Sequence, residues 1–179
     1  MSKLLWLVLA AAILSVGLFV FNLYRPTDSV VLSDYKITEY TIEGQRIKLG
    51  EQGTAYFGNE LRADLDGDGS EDVAFIITHN PGGSGTFYYA VAALNTPGGY
   101  RGTDGYFLGD RIAPQPTNLS TDPKHVRVVV FNYADRAAGE PMTAGPSLGR
   151  SVYLKVDPQA VRWGIVEPDF EGESNLPHP

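Results

Sequence analysis

The sequence predicts a mainly β fold, with α+β as the alternative: one antiparallel, sheet-based domain that follows an N-terminal transmembrane helix. Three features predict it. Residues 4–23 form an uncharged apolar run. From residue 34 onward, apolar residues recur mostly with the period of strands. Glycine and proline, 20 and 12 of them, punctuate the chain at short intervals, which favours turns over long helices. After the first 25 residues the chain has the length of one ordinary domain, and 43% apolar residues suffice for one core.

The first element is residues 1–25, read as a membrane anchor. LLWLVLAAAILSVGLFVFNL is 20 residues long, and at 1.5 Å rise per residue it matches a hydrocarbon layer of roughly 30 Å. No polar face recurs at helical spacing, which argues against a helix on a soluble core. A cleavable signal is the alternative, but its apolar stretch is shorter and ends in small residues. Here the small residues 10–12 lie mid-segment and the run leaves through Asn22, Leu23, Tyr24, Arg25 and Pro26. Residues 26–33 read as a linker, 34–166 as the β-rich domain and 167–179 as a disordered acidic tail.

Within the domain, residues 35–42 and 45–49 read as a hairpin about Glu43 and Gly44. Residues 54–63 and 73–78 read as strands on either side of an acidic loop. Residues 86–94 (TFYYAVAAL) show little polarity on either face and read as a central strand. Residues 100–108 form a strand interrupted by Gly102 and Gly105, 125–133 the clearest strand of all, and 151–156 with 161–166 a final hairpin. Residues 134–149 are a long Gly- and Pro-bearing connection of the kind that carries function.

Charge narrows the partners. Beyond Arg25 the chain has 12 basic against 21 acidic residues, so a nucleic-acid partner is excluded for want of a positive patch. Cysteine is absent, which removes disulfides and thiolate metal sites.

Five acidic residues fall within nine positions, DLDGDGSED, at Asp64, Asp66, Asp68, Glu71 and Asp72. Counted from Asp64, aspartates occupy positions 1, 3, 5 and 9, with Gly69 at position 6 and Ser70 at position 7. That is the spacing of an EF-hand type calcium loop, in which alternate side chains and the position-7 main-chain oxygen converge on one ion and glycine permits the turn. Position 12, where a helical EF-hand places a bidentate Glu, is Phe75. The loop therefore joins two strands and lacks that ligand, and the affinity expected is the roughly 10⁻⁴ to 10⁻³ M of extracellular modules. Such a site fills outside the cell. The competing explanation is a polar turn whose Asp and Gly residues supply positive φ and Asx-turns.

FGNELRADLDGDGSEDVAF resembles one calcium-loop unit of the FG-GAP/VCBS type. The wider pattern, GGSGTFYY, LGDRIAPQ and NYADR with GEPM, is similar to a family of uncharacterised anchored or exported bacterial proteins and covers about residues 38–156. The resemblance implies Ca²⁺ as the bound ion and Asp64, Asp66, Asp68, Ser70 and Asp72 as its ligands. A propeller needs several such units and this chain has one.

Other groupings carry less. Gly82, Gly83, Ser84, Gly85 and Thr86 lack the Lys-Ser/Thr ending of a phosphate loop and read as a hairpin connection. Asn132, Tyr133, Asp135, Arg136 and Glu140 read as a loop-anchoring network or a ligand site. His79, His125 and His178 have no metal-ligand spacing and no nucleophile motif beside them. Tyr88, Tyr89, Tyr100, Tyr106 and Tyr133 divide between core packing and a sugar-binding face. Residues 118–120 form a glycosylation sequon.

The function expected is a membrane-anchored, extracytoplasmic calcium-binding domain facing the periplasm or exterior, a non-enzymatic interaction or scaffold module for a protein or glycan partner. The alternatives are a cell-envelope hydrolase or glycan-active enzyme with a site near Asp135, Arg136 and Glu140, and a structural envelope subunit.

Overall fold

A computed structural model describes residues 34–141 and 143–167. The expected anchor (1–25), the linker (26–33) and the tail from residue 168 lie outside the described residues. No helix among the described residues is long and apolar enough to cross a membrane.

The described chain is mainly β, and every named strand pair is antiparallel. A 3-10 turn at Tyr35–Ile37, capped by the Asp34 side chain, precedes β1 (Glu39–Ile42) and β2 (Gln45–Lys48), which form a separate two-stranded sheet. The first large sheet holds β3 (Thr54–Ala63), β4 (Asp72–His79), β5 (Phe87–Thr96), β6 (Gly99–Gly102) and β7 (Tyr106–Asp110). The second holds β8 (Ala113–Pro114), β9 (Asn118–Leu119), β10 (Val128–Asp135), β11 (Leu148–Asp157) and β12 (Arg162–Ile165). Instead of one sheet there are two five-stranded sheets and a hairpin. The α+β alternative falls among the described residues, where the 3-10 turn is the sole helical element.

Two cores explain this layering. Ala74 and Ile76 of β4 and Ala90, Ala92 and Leu94 of β5 pack with Val129 and Phe131 of β10 and Leu154 and Val156 of β11. Successive strand residues point to opposite faces, so the alternate set must be covered as well. Val73, Phe75 and Ile77, with Tyr89, Val91 and Ala93, pack under Tyr35, Tyr40, Ile42 and Ile47. β4 and β5 are thereby buried on both faces, which is why their sequences carry so little polarity. The second sheet also reaches the first through a hydrogen bond, as the Trp163 indole donates to the Ala90 carbonyl at 3.0 Å.

The expected strand at 100–108 is two strands, β6 and β7, which pair with opposite halves of β5. The break at Thr103 is stitched to the hairpin and to β5: Thr41 N donates to its carbonyl, and its hydroxyl accepts from Ala92 N at 2.9 Å. Gly102 is required beside it, because a Cβ there would lie 2.2 Å from the Glu39 carbonyl oxygen. β10 starts at Val128 and not at residue 125, since Val128 N closes a turn on His125 and Arg127 takes a left-handed φ of 59°. The long connection is shorter than expected. Ala134 pairs with Gly149 and Asp135 with Leu148, which extends the hairpin at both ends.

Candidate metal centre

The loop between β3 and β4 is placed by the last pair of that ladder, Ala63 with Asp72. Its turns follow from local chemistry. Gly67 N donates to Asp64 Oδ1 at 2.6 Å, Asp68 N to Asp66 Oδ1 at 3.0 Å and Ser70 N to Asp68 Oδ1 at 2.6 Å. These are Asx-turns, in which a short carboxylate holds the backbone two or three residues on. Gly67 and Gly69 sit at φ of 97° and 87°, where a side chain would be strained.

The turns aim three of the predicted ligands at one point. Asp64, Asp66 and Asp72 each present a carboxylate oxygen, all within 4.8 Å of one another. Like charges at about this distance repel by about 1 kcal/mol per pair in water and about 4 kcal/mol near a protein surface. Asp68 lies outside that group, its Oδ1 holding Ser70 N. Ser70 enters the loop as a backbone donor, its expected ligand atom being the main-chain oxygen.

Asp72 is the buried member, with no solvent exposure. Its Oδ2 accepts from Leu65 N and its Oδ1 from Asn95 N, both at 2.8 Å, so one carboxylate ties the loop to the end of β5. Burial raises its pKa. The charge of Asp66 raises it further, and the amides of Asn95 and Leu65 pull it down without cancelling. Leu65 itself turns into the core between the two large sheets, 1% exposed, and anchors the loop from below.

Sequence spacing does not reveal a fourth participant. Arg127, in the turn before β10, places Nη2 3.6 Å from Asp64 Oδ2. Its guanidinium lies against Gly67, so that a Cβ there would stand 3.0 Å from Cζ. The 62 residues between Asp64 and Arg127 hide such a contact from any local pattern. The Asn95 amide is missed for the same reason.

The donor set fits a hard divalent cation. All donors are oxygens, and a carboxylate keeps free lone pairs after accepting one hydrogen bond per oxygen.

The second expected site is otherwise engaged. Asp135 accepts from Arg136 N at 2.7 Å and pairs with Arg150 at 3.2 Å. Arg136 donates to the carbonyls of Ala144 and Arg111, and Glu140 accepts from Ala137 N and the Ser147 hydroxyl. These side chains hold the 136–147 connection to itself and to Arg111, the loop-anchoring arrangement. His125 does not form a triad with its neighbours either, because Ser120 Oγ and Asp122 Oδ2 both approach the same nitrogen, Nδ1, at 3.3 and 4.0 Å. Tyr89 and Tyr133 are buried, while Tyr88, Tyr100 and Tyr106 are partly so and pack on the two cores.

An open cavity of about 500 Å³ lies between the hairpin, β6 and the β11–β12 turn, lined by Glu39, Arg46, Arg101, Asp104 and Val161 among others. It holds charges of both signs and no convergent set. No family model, curated protein or solved structure matches the chain.

Proposed function

We propose that the chain is a membrane-anchored, extracytoplasmic calcium-binding domain that acts as a non-enzymatic interaction or scaffold module. The observation that carries this is the convergence of the Asp64, Asp66 and Asp72 carboxylates within 4.8 Å at the neck of a loop between two strands. Ca²⁺ supplies the positive charge that lets three carboxylates remain together. Asp68 and the main-chain oxygen of Ser70 complete the set expected from the spacing.

The ion staples β3 to β4 and, through Asp72 and Asn95, to β5. Its binding free energy therefore adds to that of folding. A strand-flanked loop without a position-12 Glu binds weakly, which suits a compartment of plentiful calcium. The apolar run at 4–23 is the expected anchor, and it is the calcium that a weak site needs which favours the periplasmic or exterior side. The partner is a protein or glycan of that compartment. An enzyme centred on Asp135, Arg136 and Glu140 has less support, because those side chains are spent on holding their own connection.

Thermal melting of the full chain in detergent tests the proposal. Millimolar Ca²⁺ is expected to raise the midpoint over EGTA by several degrees, and Asp66→Ala to abolish the difference. Equal midpoints for the unsubstituted chain in both buffers would remove the calcium site.

A further inference from the structure

We infer that Arg127 is a built-in counter-ion of the acidic loop, which holds the loop together when calcium is scarce and sets the affinity with which calcium replaces it; the inference rests on the calcium-binding reading above. Both oxygens of Asp64 are already engaged, Oδ1 by Gly67 N and Oδ2 by the Arg127 guanidinium. An ion that takes Asp64 as a ligand must displace that guanidinium or bind beside it, on a lone pair that the contacts already made leave free. In either case a fixed positive charge stands within a few ångströms of the incoming cation, and like charges oppose binding.

The placement of Arg127 is constrained on both sides. Its backbone is held in the left-handed region by the turn that closes from Val128 N to His125 O, immediately before Val128 enters the core. The guanidinium meets Gly67, and a Cβ at 67 would stand 3.0 Å from its Cζ, so that a larger residue there would push the guanidinium aside by a few tenths of an ångström. Gly67 thus serves two ends, the positive φ of the turn and the space for the guanidinium. The contact joins the first large sheet, through its β3–β4 loop, to the second, through the start of β10. Calcium release then leaves an ion pair between the sheets in place of an unscreened acidic cluster.

Calcium titration by calorimetry of the full chain, stripped with EGTA, tests this with Arg127→Gln and Arg127→Lys. Arg127→Gln is expected to bind calcium about five-fold more tightly, the equivalent of about 1 kcal/mol for loss of a partly exposed opposing charge, and to melt lower than the unsubstituted chain in EGTA. Arg127→Lys keeps the charge and is expected to restore the original affinity. Equal or weaker binding by Arg127→Gln overturns the inference and leaves the calcium site standing. Binding by Arg127→Gln where the unsubstituted chain takes none supports it in its strongest form, and failure of both to bind removes the inference and the calcium reading together. Should Arg127→Gln not fold, the Arg127 Nε–H resonance of the unsubstituted chain decides: a shift on calcium addition supports displacement, and an unmoved resonance at saturation overturns it.

Discussion

Asp72 shows how one side chain can serve both the fold and the loop. It is buried, its two oxygens accept from the amides of Leu65 and Asn95, and burial still holds its pKa above the ordinary carboxylate value. Replacement by alanine leaves both amides without partners; an orphaned buried donor such as Leu65 N costs about 1–3 kcal/mol, and the half-buried Asn95 N, which water can reach, about 1 kcal/mol. Asp72→Ala is therefore expected to destabilise the domain by about 2–4 kcal/mol even in EGTA, read as a fall in the urea midpoint. A midpoint within experimental error of the unsubstituted chain would show that the amides find other acceptors. Spacing points to Asp64, Asp66, Asp68, Ser70 and Asp72 together, because alternate positions in a Gly-bearing turn face one centre, and the structure gathers the carboxylates of Asp64, Asp66 and Asp72 while Asp68 stays outside. It cannot identify Arg127 or Asn95, since neither belongs to the local pattern.

At the scale of elements, the edge strand β3 is fastened to the 3-10 turn by Glu60. The hydroxyls of Tyr35 and Tyr56 both donate to its Oε1, and Arg62 Nη2 approaches its Oε2 at 3.3 Å. Burial alone would raise the Glu60 pKa, but the hydrogen bonds from Tyr35 and Tyr56 and the charge of Arg62 together bring it below its ordinary 4.5. A carboxylate with a depressed folded pKa contributes stability above its unfolded value and loses it as pH falls through the folded one. Glu60→Gln is accordingly expected to melt lower than the unsubstituted chain at pH 7, with the gap closing as pH drops below 4. A gap that persists unchanged at pH 3 would place the effect elsewhere.

Most strands were legible for a simple reason: Gly- and Pro-marked turns delimit them and apolar residues fill them. Residues 54–63 read as β3 to the residue because Gly53 precedes the strand and the acidic loop follows it. The break between β6 and β7 was partly legible in Gly102 and Gly105, whereas β8 and β9, two residues each, carry no periodicity at all. β10 begins later than its apolar pattern suggests because Val128 N closes a turn on His125 and Arg127 takes a left-handed φ, neither of which the apolar pattern records.

On the scale of the whole molecule, the layering was not legible. Apolar strands such as β4 and β5 announce burial on both faces but not what covers each face. Here one face meets β10 and β11 and the other meets the hairpin with Tyr35. Those partners lie far apart in sequence, so only the assembled chain reveals them. The acidic loop sits between the first two strands of one sheet and touches, through Arg127, the turn that precedes a long strand of the other.

Calorimetric titration of calcium into the EGTA-stripped full chain tests the calcium site most directly. One ion per chain is expected, with a dissociation constant of roughly 10⁻⁴ to 10⁻³ M and loss of binding on Asp66→Ala. Absence of a saturable heat up to ten millimolar calcium, or an undiminished one with Asp66→Ala, would contradict it.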